Sequence, residues 1–316
     1  MHTSSAPRPV DIPHARLMTY AELRRSNYEE TEIAAALRAR NIVRVRHGVY
    51  ASAEFWRTLK PWDRDVWAVR AHHLSSRSHL IYTHVSAARL WGMDVWNATN
   101  EIHVTQGTRH GDNSAGVVRH ALMIPDGQVV MQGGLRLTNR ERTVVDCAKL
   151  LPHELATVIA DSALHRGASR QGVSAILEEQ TGYAHISKAR RVLAAANALS
   201  ESAGETRLRL KVLEWGFPPP VLQYEIDTTE GRYRADLAWP ELMLILEFDG
   251  DIKYNGKAPT DFVLLDERKR ETALMERGWS IVRVRWPQLD HEASLRSRIL
   301  RAYNNAVYAH GRPPAA

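Results

Sequence analysis

The chain has 316 residues, 44% of them apolar and 25% charged, the composition of a globular protein with room for two or three domains. Forty-two Lys and Arg against 36 Asp and Glu leave a formal net charge of +6, a mild tilt toward a polyanionic partner. One cysteine, Cys147, excludes an internal disulfide framework and a cysteine-rich zinc site. No run approaches the ~18 apolar residues of a membrane helix, and residues 1–10 lack the apolar core of a signal peptide. A cytoplasmic location with no membrane partner is the default expectation.

Three segments are expected: 1–60, 61–198 and 199–316. The first carries ten Lys and Arg against six Asp and Glu, a net +4. Residues 20–26 predict a short helix with Thr19 as N-cap. Ile33, Ala36 and Leu37 recur at helical spacing and predict a second helix over 29–38. Residues 41–50 alternate apolar and basic side chains, with Gly48 as the turn, which places Arg44 and Arg46 on one strand face. Helix, turn, helix and basic hairpin is the order of a winged helix-turn-helix, whose second helix enters the major groove and whose wing touches phosphate.

The middle segment predicts helices over 63–75, 84–91, 139–150 and 155–164, and strands over 101–105 and 134–138. It carries no catalytic constellation. His72, His73, His84, His103, His110 and His120 match no zinc signature, and His84 reads as a buried hydrogen-bonding residue. Ser86 lacks the Gly-x-Ser-x-Gly elbow of a nucleophile. Gly133 and Gly134 precede a strand and open no phosphate loop. Trp62, Trp67, Trp91 and Trp96 read as core or interface, and Cys147 as an inert buried thiol.

The last segment is near neutral, with 17 Lys and Arg against 18 Asp and Glu. A small, polar linker over 199–204 leads to a helix over 205–215. Strands follow over 221–226, 233–237 and 242–248, then a helix over 261–277 ended by Gly278. A strand over 279–284 and a helix over 292–307 complete the order αβββαβα. The fold class is α/β, more narrowly α+β, in several domains.

The apolar run Leu244-Ile-Leu246 suits a buried central strand and ends in Glu247-Phe-Asp249-Gly250. Residues two apart on a strand share a face, so Glu247 and Asp249 project together. Asp236 ends the preceding strand, and three carboxylates are expected to converge. Such groups repel unless a cation is present, and hard oxygen ligands suit Mg²⁺ or Mn²⁺. Lys253, or Lys269 on the next helix, is placed to stabilise a phosphoryl transition state. Isolated acids of this kind are more often surface groups; here they end strands in a specific element order.

That order, with the Asp236…Glu247-Phe-Asp249 pattern, resembles the PD-(D/E)xK nuclease superfamily and its restriction-endonuclease-like core. Glu247-Phe-Asp-Gly250, Lys253-Tyr254, Asp266-Glu-Arg268, Leu274 and Gly278-Trp279 look like a bacterial branch related to very-short-patch-repair (Vsr-like) endonucleases. The resemblance implies metal ligation by Asp236 and Glu247, accessory roles for Glu205 and Asp249, support from Lys253, and hydrolysis of DNA phosphodiesters. It departs from the superfamily where Asp249 occupies the usual lysine position.

Residues 20–26, 33–38 and Val43-Arg-Val-Arg-His-Gly-Val-Tyr50 resemble the winged helix of AbiEi-type antitoxins of type IV toxin–antitoxin systems. Thr83-His-Val-Ser-Ala-Ala88 and Leu137-Thr-Asn-Arg-Glu-Arg-Thr-Val-Val-Asp146 resemble that family's middle domain. This implies contacts from Arg38, Arg40, Arg44 and Arg46 to double-stranded DNA, and a cognate toxin as a second partner. His47, on the wing, is a further phosphate contact. The competing reading of these arginines is a solvated face. Two functions are therefore expected: a metal-dependent endonuclease in defence or repair, or an antitoxin-like transcriptional regulator whose nuclease-fold domain only binds DNA or a partner.

Overall fold

The computed structural model describes residues 9–76, 80–106, 116–250 and 261–310, the side chains of 261–267 aside. The fold is mixed α and β. It divides into two compact units, Met1–Leu150 and Leu151–Ala316. This differs from the three segments expected, because the boundary falls inside 61–198.

The N-terminal unit opens with β1 (Leu17–Thr19), α1 (Tyr20–Arg25) and α2 (Glu30–Arg38), then the hairpin β2 (Ile42–Arg46) and β3 (Val49–Ser52). Thr19 caps α1 in a reciprocal box with Glu22, satisfying donors that the first turn leaves open. The helices bury Leu23, Ile33 and Ala36 against Met18, Ile42 and Tyr50. The sheet order is β1-β3-β2, antiparallel throughout. Next come α3 (Ala53–Thr58) and α4 (Pro61–Ser75). Ala71 of α4 joins Leu17, Val49 and Ala51 in one cluster, and Phe55 meets Trp67 edge-on at 5.0 Å. The shared core removes the break expected at residue 60.

The rest of this unit is β4 (Ile81–Tyr82), α5 (His84–Leu90), β5 (Ile102–Thr105), β6 (Val117–His120), β7 (Val129–Gln132), β8 (Leu135–Thr138) and α6 (Arg140–Leu150). The strands form a sheet in the order β6-β5-β4-β8-β7, with β5–β6 and β4–β8 parallel. Gly133 and Gly134, both at positive φ, turn β7 into β8, the backbone a two-residue hairpin loop requires.

The C-terminal unit begins with α7 (His153–His165), α8 (Arg170–Glu179), α9 (Ile186–Ala195) and α10 (Ala203–Glu214). Strands β9 (Val221–Thr228), β10 (Gly231–Trp239) and β11 (Leu244–Asp249) follow, then α11 (Asp261–Glu276), β12 (Ser280–Arg285), α12 (Trp286–Asp290) and α13 (Glu292–His310). The sheet order is β12-β11-β10-β9; β10 is antiparallel to both β9 and β11, and β12 runs parallel to β11. The expected αβββαβα order is present, with the short α12 added before the last helix.

The stretch expected as a linker is ordered by helix α10 instead. Ser200 is buried, and Ser202 is the N-cap of α10, accepting the Glu205 N–H. A buried charge network then ties α10 to α7. Asp161 accepts the Asn197 N–H at 2.7 Å, the Thr206 hydroxyl at 2.8 Å and Arg209 Nη2 at 2.6 Å. Both members of the pair are almost wholly enclosed. Removing one partner strands the other charge without solvent. Asp161→Ala is expected to lower unfolding stability by about 3–5 kcal/mol, read by urea denaturation; a loss under about 1 kcal/mol would show that the network does not hold these helices together.

Candidate functional site

β11 is the axis of the acidic site. Leu244 and Leu246 lie in the core on one face of the sheet with Leu208, Val284 and Ile299. Ile245 lies in the core on the other face with Ala238, Leu274 and Trp279. Strand alternation carries Glu247 and Asp249 onto the Ile245 face, at the strand's C-terminal end. The register pairs Leu237 with Leu246, so one further step sets Asp236 across from Glu247. Asp236 Oδ2 accepts the Phe248 N–H at 2.8 Å. A side chain of β10 thereby takes a backbone donor of β11 where the ladder stops, and this fixes the carboxylate beside Glu247.

The other edge of β11 faces arginine. The parallel register pairs Glu247 with Arg283 and Asp249 with Arg285. Arg283 Nε stands 3.5 Å from Glu247 Oε2, and Arg285 Nε stands 3.3 Å from Asp249 Oδ2. Arg283 also reaches Glu271 of α11 at 3.2 Å. The sequence reading missed both arginines. Their signal was the alternation in Ser280-Ile-Val-Arg-Val-Arg285, whose two-residue spacing matches that of Glu247 and Asp249.

Glu205 approaches from the first turn of α10. Gly204 makes this possible: a Cβ there would lie 1.9 Å from Phe248 Cε1, so the ring packs where a methyl would otherwise sit. Phe248 in turn meets Trp286 edge-on at 5.0 Å. Glu205 Oε2 accepts the Glu201 N–H at 2.9 Å and Gln223 Nε2 at 3.0 Å, and Oε1 accepts the Ser202 hydroxyl at 2.9 Å. Gln223 holds a φ of +51°, an uncommon conformation for a side chain of its size. It lies opposite Asp236, between the pairs Tyr224–Ala235 and Leu222–Leu237. Burial raises the Glu205 carboxyl to about 7; the Asp236 charge pushes the same way, and the Glu201 N–H and Ser202 hydroxyl oppose it.

The expected convergence is thus altered. Among the described residues, no three of Glu205, Asp236, Glu247 and Asp249 bring ligand oxygens within 4.8 Å of one another. Asp249 and Glu247 instead pair with arginines. Lys253 lies outside the described residues. Lys269 is exposed on α11 and makes no ion pair among the described residues. The donor set that remains, Asp236 with Glu247, still fits Mg²⁺ or Mn²⁺, which take one or two carboxylates and leave other positions to water and phosphate.

At the basic hairpin, a bulge shifts the register between Arg44 and Arg46. Their expected common face is therefore lost. Arg44 is exposed and lies over the Tyr50 ring at 5.9 Å. Arg46 is half-buried, and its charge bears on His72 and Tyr82. Arg38, Arg40 and His47 are exposed, and Arg40 has a φ of +57°. The N-terminal turn of α2 is acidic, with Glu30 and Glu32. Exposed positive charge therefore gathers at the C-terminal end of α2 and on the hairpin.

Comparison with known proteins adds coverage without function. No family model matches the chain. The chain is similar to two proteins of Mycobacterium tuberculosis, one in each of two strains and both described as uncharacterized. Each is 29% identical over 271 residues, covering 85% of this chain and 94% of the relative.

Glu205 gives the metal-free protein a pH signature. Its ordinary value is 4.5 and its folded value about 7. A raised folded value means that its stabilising contribution is complete below the unfolded value and is lost as pH rises through the folded one. Glu205→Gln cannot ionise. In EDTA, the stability difference between variant and wild type should move in the variant's favour by on the order of 1–3 kcal/mol between pH 4.5 and pH 8. Parallel pH profiles in thermal melts would refute the assignment.

Proposed function

We propose that this is a DNA-acting protein whose C-terminal unit is a metal-dependent, endonuclease-like phosphodiesterase. The observation that carries this reading is the Asp236–Phe248 hydrogen bond at 2.8 Å. It holds one carboxylate inside β10, which runs on to Trp239, across from Glu247 near the end of β11, within an αβββαβ order. The resemblance to PD-(D/E)xK nucleases supports the same reading. Asp236 and Glu247 would hold Mg²⁺ or Mn²⁺, whose chemistry is to polarise a phosphoryl oxygen and acidify water. Glu205 holds a proton close to neutral pH. Arg283 and Arg285 place positive charge beside the strand-end acids, in the region where the resemblance would put a lysine. Full-length protein with Mg²⁺ or Mn²⁺ should nick supercoiled DNA, and Asp236→Ala and Glu247→Ala should each slow this by about 100-fold or more. Cleavage by both variants at the wild-type rate would sink the proposal.

One observation favours a second reading. Asp249 stands in the lysine position and pairs with Arg285, which suits a nuclease fold that binds DNA or a partner without cutting. The protein would then be an antitoxin-like regulator, with a cognate toxin as partner. Absence of cleavage with any divalent metal, together with protection of the protein's own promoter, selects this reading.

Both readings share a DNA interface on the N-terminal unit, built from Arg38, Arg40, Arg44 and His47. Arg44→Ala should weaken duplex binding across sequences and reduce the salt slope by ~1. Arg46→Ala should leave the slope near that of wild type, since the side chain is half-buried and its charge bears on His72 and Tyr82. Binding that is indifferent to salt and to Arg44→Ala would refute this interface.

A further inference from the structure

Three histidines far apart in sequence meet in the N-terminal unit. His84 starts α5, His103 lies in β5 and His120 ends β6. Each offers a ring nitrogen, and these nitrogens all lie within 4.8 Å of one another. His103 Nδ1 and His120 Nε2 are 2.9 Å apart. The rings of His84 and His120 stack at 3.9 Å between centroids, with His103 at 5.6 and 5.2 Å from them.

The surrounding fold holds these side chains in place. The Thr83 N–H donates to the His103 carbonyl at 3.0 Å, and the His103 N–H donates to Ser86 Oγ at 2.8 Å. These two bonds stitch the first turn of α5 to β5. Thr105 Oγ1 donates to the His120 carbonyl at 2.7 Å and so fixes the end of β6. Ser86, of no use as a nucleophile, is thus a clamp on the His103 backbone. His84 sits at a φ of +49°, a region that costs free energy for a side chain of this kind.

Hydrogen bonding alone does not account for the cluster. His103 is 4% exposed, yet its Nε2 has no hydrogen-bond partner among the described residues. If Nδ1–H donates to His120, that atom is a buried bare lone pair; in the other tautomer it is a buried unused N–H. Either is a costly group to enclose. Burial lowers the pKa of all three rings, that of His103 to about 4. They are therefore neutral, the form that binds metal. The guanidinium charges that bear on His84 and His103 are already paired, Arg142 with Asp146 at 2.7 Å and Arg89 with Asp65 at 3.0 Å.

We propose that His84, His103 and His120 form a binding site for a divalent first-row transition metal, with zinc the cation that suits the donor set best. Imidazole nitrogen is a zinc ligand, and three histidines leave one tetrahedral position open. Among the described residues no further His, Cys, Asp or Glu atom completes the group. The stacked His84 and His120 rings must turn about their terminal torsions for their lone pairs to converge, and those torsions are soft. The site is separate in chemistry from the carboxylates of the C-terminal unit, and it neither needs nor supports the nuclease reading. The separations in sequence, 19 residues from His84 to His103 and 17 from His103 to His120, match no short motif, and strand pairing alone closes them.

The test uses untagged full-length protein stripped with a chelator. Titration with Zn²⁺ against a chromophoric competitor should give one equivalent bound, and Co²⁺ should give the visible absorption of a tetrahedral site. His103→Ala and His120→Ala should each weaken binding at least tenfold, since even outer-shell losses cost ~10–100-fold. His291→Ala should bind as wild type does. If the histidine variants fold poorly, X-ray absorption on the Co²⁺-loaded wild type decides, because imidazole scattering from about three ligands is required. No equimolar binding by wild type, unchanged binding in both histidine variants, or a spectrum of oxygen ligands alone would overturn the proposal.

Discussion

The C-terminal unit depends on burying three consecutive residues, Leu244, Ile245 and Leu246. All three are wholly enclosed. Leu244 and Leu246 insert between the sheet and α10, α12 and α13, while Ile245 meets α11 and Trp279 on the other side. A strand buried on both faces and flanked on both edges has no room for charge until it leaves the core. Glu247 and Asp249 therefore appear where they do because the apolar run ends there. β12 and β10, paired to the same strand, bring Arg283, Arg285 and Asp236 to the same end. Packing decides the location of the site, and the register decides its membership.

Electrostatics at that end are balanced rather than uniformly acidic. Two carboxylates share their face with two guanidinium groups at 3.3 to 3.5 Å. Arg283 is 40% exposed and Arg285 62%, so each pair is screened by water and contributes little to stability. Such pairs open easily in favour of a stronger cation or a phosphate. Glu205 differs because it is buried and close to Asp236. A divalent ion would therefore meet Asp236 and Glu247, with Glu205 buried beside Asp236.

Much of this architecture was legible in the sequence, where local signals and tertiary packing agreed. The apolar run of β11, the Thr19 cap and the two-residue alternation at Glu247 and Asp249 all report directly on backbone geometry. What stayed hidden depended on pairing across the chain. The short strands β1, β4 and β7 have no pattern of their own and exist because a partner supplies the ladder. The bulge between Arg44 and Arg46 follows from the turn and from the partner strand β3, so alternation alone misplaced Arg46. The expected linker at 199–204 read as polar and small because capping α10 needs such residues. The boundary at 150 was obscured because Asp161 and Arg209 signal their contact only once α7 and α10 lie side by side.

Gly204 has a consequence for how this end of the molecule can vary. The Phe248 ring occupies the space of the missing methyl, so at this end the helix bearing Glu205 rests closely on an aromatic side chain of the strand bearing Glu247. Any side chain at 204 acts as a wedge, prising the helix from the strand unless residue 248 shrinks in step. The two positions are free to change only as a linked couple, although 44 residues separate them. Spacing between acids on different elements is therefore inherited from a contact that contains no acid at all.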